Sequence, residues 1–172
     1  MRSLTFAPLL LLLLSPAFAQ DSPEARFQGT WRVASASAAR SGRDRAIDAA
    51  TDDMSIFTRG IARRRLRDGT PIHSTIQVAG SGSSFRAQVG NYDLDFAADG
   101  RSHAFTDPFD NEMQAKQRFR SGKLVQTLRS DDATLTHSLS LSSDGSELTL
   151  TVKIESHHLP GDVLFRVRYR KS

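Results

Sequence analysis

Phe27-Gln28-Gly29-Thr30-Trp31-Arg32-Val33-Ala34-Ser35-Ala36-Ser37 is the stretch whose reading decides the fold. Its residues alternate. Trp31, Val33, Ser35 and Ser37 share one face, and Thr30, Arg32, Ala34 and Ala36 the other, as expected for a strand. A helical stretch follows, from about Ser41 to Asp68. From Pro71 to Tyr169 the pattern is alternation broken only by turn signals. A sheet of that length must close or stack to hide its edges. The order therefore predicts a mainly β fold: a single antiparallel closed barrel of nine or ten strands. One or two short helices lie between the first and second strands, as a lid.

Working outward, Ser41 is a candidate helix cap, followed by the apolar stripe Ala46, Ile47, Ala49 and Ala50. Asp52 or Asp53 can cap a second helix, in which Met54, Phe57 and Ile61 share a face. Gly60 costs that helix about 1 kcal/mol relative to alanine, so it needs tertiary support. Gly69 and Pro71 end it. Later turns are marked by Gly80-Ser81-Gly82-Ser83, Gly90-Asn91, Asp99-Gly100, Ser121-Gly122, Asp131-Asp132, Asp144-Gly145 and the segment His157 to Gly161. On the last strand Val163, Phe165, Val167 and Tyr169 make an apolar face opposite Arg166, Arg168 and Arg170.

The first 19 residues read as a secretory signal peptide: Arg2, an apolar run around Leu9–Leu14, and Ala17-Phe18-Ala19 as the cleavage site. The run is too short for a span of about 20 residues. Residues 20–172 are then one domain, expected to be periplasmic or secreted after cleavage near Ala19, in a Gram-negative envelope. The chain has no cysteine, which removes disulfides and thiolate chemistry. The net charge of +4 is too small to argue for nucleic acid. A monomer is expected.

The Gly29-Thr30-Trp31 opening, the helical insert and the closing hairpins from Asp144-Gly145 to Arg168-Tyr169 resemble the calycin superfamily, and within it the fatty-acid-binding-protein-like barrels. Lipocalins share the tryptophan but usually have eight strands and a late helix. The resemblance implies a ligand-holding barrel. It also implies that a basic residue of the last strand covers Trp31; Arg168 is favoured over Arg166 and Arg170. Such a cation–π contact is worth about 0.5–2 kcal/mol and is structural. One departure matters. The fatty-acid-binding proteins hold a carboxylate with an arginine and a tyrosine two residues apart on the last strand. Here Arg168 and Tyr169 are adjacent and face opposite sides, so that clamp is not expected.

Few residues carry chemistry. His137, between Leu135 and Leu139, could meet a ligand's polar end, or a haem iron as in nitrobindin-like barrels; the commoner role of a lone histidine is that of a hydrogen-bonded core or rim residue. His73 and His103 lie on less apolar stretches. His157-His158 are neighbours in a turn, so their side chains are expected to diverge, and no metal site or other cofactor is expected. Asp93, Asp95, Asp99 and Gly100 lack the closing glutamate of a calcium loop. No hydrolase, zinc-protease or phosphate-loop motif is present, so an enzyme is not expected. Arg59, Arg63, Arg64 and Arg67 could touch an anionic membrane, or pair with Asp44, Asp48, Asp52 and Asp53.

These features point to an exported, lipid-binding type of container for a small hydrophobic or amphipathic ligand. Phe57 and Ile61 are expected to roof it. Tyr92, Leu94, Phe96, Phe119, His137, Leu139 and Tyr169 are the lining candidates. Two other readings stand beside it: a filled barrel acting as a non-enzymatic structural or interaction module of the envelope, and a haem protein using His137.

Overall fold

Ten strands form one antiparallel sheet in the computed structural model, which describes residues 23–107 and 110–172. The signal-peptide reading of residues 1–19 lies outside the described residues. The chain runs α1 (Pro23–Phe27), β1 (Gly29–Val33), α2 (Ala36–Thr51), α3 (Ile56–Gly69), β2 (Thr75–Ala79), β3 (Arg86–Val89) and β4 (Tyr92–Asp95). It continues through β5 (His103–Thr106), β6 (Glu112–Arg120), β7 (Lys123–Arg129), β8 (Ala133–Leu141), β9 (Glu147–Ser156) and β10 (Val163–Lys171). The two helices between the first and second strands are where the sequence predicts them. α2 begins earlier than expected, because extended Ser35 already accepts a hydrogen bond from the Ala38 N–H and caps it. Ser55, not an aspartate, caps α3 in the same way.

The sheet is open, which corrects the expectation of a closed barrel. Its order is β4-β3-β2-β1-β10-β9-β8-β7-β6-β5, so β4 and β5 are its two edges. The reason lies in the chain between them. Asp99 bridges to Arg118, and the Gly100 N–H donates to the Gln117 carbonyl at 2.8 Å. That segment and then β5 occupy the outer edge of β6, leaving none of it for β4. Side chains hold the seam instead. Phe96 stacks on His103 with centroids 4.0 Å apart, and Tyr92 meets Phe105 at 6.3 Å.

The curled sheet is largely filled. At the end formed by the β2–β3, β6–β7 and β8–β9 turns, Phe119 meets Phe27 of α1 and Phe85 edge-on at 5.5 and 5.4 Å. Beside them Gln117 and Gln126 face each other across β6 and β7, both fully buried. The Gln126 Nε2 donates to the Ala87 carbonyl at 3.0 Å, and the Gln117 Nε2 to the carbonyls of Phe85 and Phe96. These bonds tie the β6–β7 wall to the backbone of β3 and its flanks through the middle of the molecule. These bonds offset the cost of burying the amides, although the Gln126 Oε1 itself has no partner.

Trp31 is fully buried, and its indole N–H donates to the Phe27 carbonyl at 2.9 Å. The cation over its ring is Lys171, 5.5 Å from the centroid. This replaces Arg168. Arg168 lies on the exposed face of β10, whereas Lys171 is the direct cross-strand partner of Trp31.

Candidate functional site

The end covered by α2 and α3 holds a cavity of about 30 Å³. Its wall includes Thr70 and His73 from the α3–β2 connection, Tyr92 of β4, His137 of β8, and Tyr169 of β10; Val89, Val152 and Phe165 supply much of the rest. Alternation brings the strand residues together, since each occupies an inward position of its strand. His73 is seated against Gly90, whose φ of +67° is free for glycine and where a Cβ would fall 2.1 Å from the imidazole Nε2.

One polar atom of this wall is unsatisfied. His137 is 5 % exposed, its Nδ1 is buried with no partner, and its ring meets Tyr92 edge-on at 5.7 Å. Burial pushes its pKa down to about 4, with a smaller push from His73, so it is neutral near pH 7. Burial also lowers His73. The Tyr169 hydroxyl donates to the His73 carbonyl at 3.4 Å, and burial raises its pKa to about 12. Tyr92 is raised by burial and by the Asp107 charge. Among the described residues, no lysine, arginine or carboxylate lines the cavity. Arg166, Arg168 and Arg170 all point outward, as the last-strand register predicts.

A second, open depression of about 470 Å³ lies between α3 and the rim of β8 and β9. Met54, Ile61, Ala62, Leu66, Ile154 and Leu159 give it an apolar character. The two spaces follow one another along the inward face of β9: Leu150 and Val152 line the cavity, and Ile154 lines the groove.

Of the expected lining residues, Tyr92, His137 and Tyr169 are brought together. Leu94 and Leu139 are buried in the packed core, Phe119 belongs to the aromatic cluster at the far end, and Phe96 belongs to the seam. Phe57 and Ile61 do not roof the interior. They are 87 % and 58 % exposed, and Ile56 is 79 % exposed, because α3 buries no side chain fully. Polar staples hold α3 to α2 instead. Arg63 reaches Asp48 at 3.1 Å and Thr51 at 2.9 Å; Arg67 reaches Asp44 and Asp48 at 3.4 and 3.2 Å. Arg59 caps the Met54 carbonyl at 2.9 Å and lies 3.8 Å from Asp52. Of the four arginines expected at a membrane, only Arg64 stands in solvent, loosely paired with Asp68.

Sequence reasoning missed the buried Gln117–Gln126 pair. The signal was present: each interrupts an apolar alternation at an inward position. It also took His157 and His158 to diverge, whereas their rings lie 3.8 Å apart.

No family model matches the chain, and no curated protein does. Solved structures do. Lipid binding protein 8 of Caenorhabditis elegans superposes with a TM-score of 0.54 at 15% identity, over 86% of this chain and 96% of that one. Fatty-acid-binding protein 1 of Echinococcus granulosus gives 0.54 at 16%, over 85% and 97%. A secretary abundant heat soluble (SAHS) protein of Ramazzottius varieornatus gives 0.57 at 18%, over 86% and 96%. The chain therefore shares its overall fold with these proteins, with its sheet left open between β4 and β5. The first two of these proteins are named for binding lipids or fatty acids, and this chain has no cysteine to act as a nucleophile.

Proposed function

We propose that the protein is an exported, non-enzymatic binding protein for one small, neutral amphipathic molecule. The polar end sits at the His137 cavity and the apolar body lies along the α3 groove. One observation carries this reading: a buried imidazole nitrogen without a partner, in a cavity edged by two tyrosines and walled by apolar side chains. Such a nitrogen is paired in most native interiors, by protein, water or ligand. A carboxylate would be desolvated there without any cation, at a cost of several kcal/mol. A hydroxyl or carbonyl group meets no such penalty.

The cavity has room for about one water molecule, against some 300–1,000 Å³ for a typical ligand site. A ligand must therefore displace α3. That helix is suited to move, since it buries no side chain fully and is held to α2 by half-buried polar staples rather than by an apolar face. A haem beside His137 would need the same displacement of α3. The glutamine ties through the interior favour a second reading, a filled, curled sheet acting through its surface.

Competition separates the two. Residues 20–172, stripped of lipid, are titrated with the neutral dye Nile red. A monoacylglycerol and a fatty acid of equal chain length are then compared as competitors. The ligand reading expects the neutral lipid to displace dye more strongly at pH 8, and His137→Leu to reduce that preference. Stronger displacement by the fatty acid would refute the neutral-head assignment. A flat titration with both lipids would favour the filled sheet.

A further inference from the structure

Asp132, His157 and His158 meet at the rim of the sheet, outside the cavity. β8 and β9 stay paired to their ends, where Ala133 lies opposite Ser156. One step further along the same ladder, Asp132 and His157 therefore come opposite each other. The turn after β9 is fixed by two bonds to Ser156: the Leu159 N–H donates to its carbonyl at 3.1 Å, and the His158 N–H to its hydroxyl at 3.2 Å. These constraints bring the two imidazoles to 3.8 Å between centroids, and the His158 Nε2 to 3.5 Å from an Asp132 carboxylate oxygen. One donor atom from each residue lies within 4.8 Å of the others.

We propose that this cluster binds one divalent transition-metal ion. Two imidazole nitrogens and one carboxylate oxygen form a set that suits Zn²⁺, Ni²⁺ or Cu²⁺ and not the oxygen-seeking Ca²⁺ or Mg²⁺. A tetrahedral ion with bonds of about 2.0–2.1 Å needs donors about 3.4 Å apart. The three side chains are exposed, so rotation about their own χ angles closes the remaining distance without moving the sheet. Three protein donors leave a fourth position for water. Asp132 and His158 also line the α3 groove, so the ion would sit at its mouth. This inference is independent of what the cavity holds.

The test uses tag-free residues 20–172 in chelator-treated buffer at pH 7.5. Zn²⁺ is titrated calorimetrically, and Co²⁺ is followed by its visible absorption. The expected result is one Zn²⁺ per chain and Co²⁺ bands of a low-coordinate site. His158→Ala and Asp132→Asn should each weaken binding by about tenfold or more, and His103→Ala should leave it unchanged. Circular dichroism confirms that the variants are folded. Absence of binding at about 0.1 mM Zn²⁺, or equal binding by the Asp132 and His158 variants, would overturn the proposal.

Discussion

Replacing His137 by glutamine removes a titrating group while keeping a polar side chain in the interior. Its imidazole titrates near 6.5 in the unfolded chain and at about 4 in the folded one. A base whose folded pKa is depressed takes up its proton more readily when unfolded. Its contribution to stability is complete above pH 6.5, falls away as the pH drops from 6.5 towards 4, and changes no further below that. With these two values, linkage gives a loss of about 2 kcal/mol between pH 7 and pH 5. His73, also lowered by burial, adds a loss of the same sign, but it remains in both proteins. The assay is urea unfolding at pH 7, 6 and 5, followed by fluorescence of Trp31, the single tryptophan. The wild-type protein should lose about 2 kcal/mol more than His137→Gln over that range. If the two lose stability in parallel, to within about 0.5 kcal/mol, His137 is not held neutral by burial and the polar end of the proposed site has been misread.

Three further perturbations probe the scaffold. Gln126→Leu removes the ties to Ala87 and Gln117 and should cost about 1–3 kcal/mol in chemical denaturation; combined with Gln117→Leu it should cost less than the sum of the two single changes. Lys171→Ala should lower stability by about 0.5–1 kcal/mol and shift the Trp31 emission, while Arg168→Ala should do neither. Gly90→Ala adds a Cβ at φ +67° and against the His73 ring; a loss of about 1–2 kcal/mol and displaced His73 NMR resonances are expected.

Most strands were legible because alternation is a local property. β10 illustrates this. Its one-in-two pattern of Val163, Phe165, Val167 and Tyr169 set which face was buried, so alternation alone ruled out an inward Arg168. What failed was non-local. Whether β4 meets β5 depends on where the intervening chain docks, and nothing in the alternation of either strand records that Asp99 and Gly100 pair with β6. The cation over Trp31 depends on cross-strand register, which selected Lys171 at a strand end where sequence pattern fades. α3 misled for another reason. Met54, Phe57 and Ile61 look like a face that must be buried, but the helix is fastened by arginines on another side. Of the candidate site, the inward positions of Tyr92, His137 and Tyr169 could be read from sequence. Their separation from Phe96 and Phe119 could not, because it depends on how the interior is filled.

The position of β1 also governs when the molecule can be completed. It lies between β2 and β10, so residues 29–33 hydrogen-bond to both the strand that follows the helices and the last strand of the chain. Trp31 pairs with Lys171, a partner that leaves the ribosome late. A chain synthesised from its N-terminus cannot finish this sheet until β10 is free, and contacts of such long sequence separation form slowly. Until then the Trp31 strand has one side without its final partner, so the Trp31 side chain gains its cover from Lys171 only in the last step of sheet assembly.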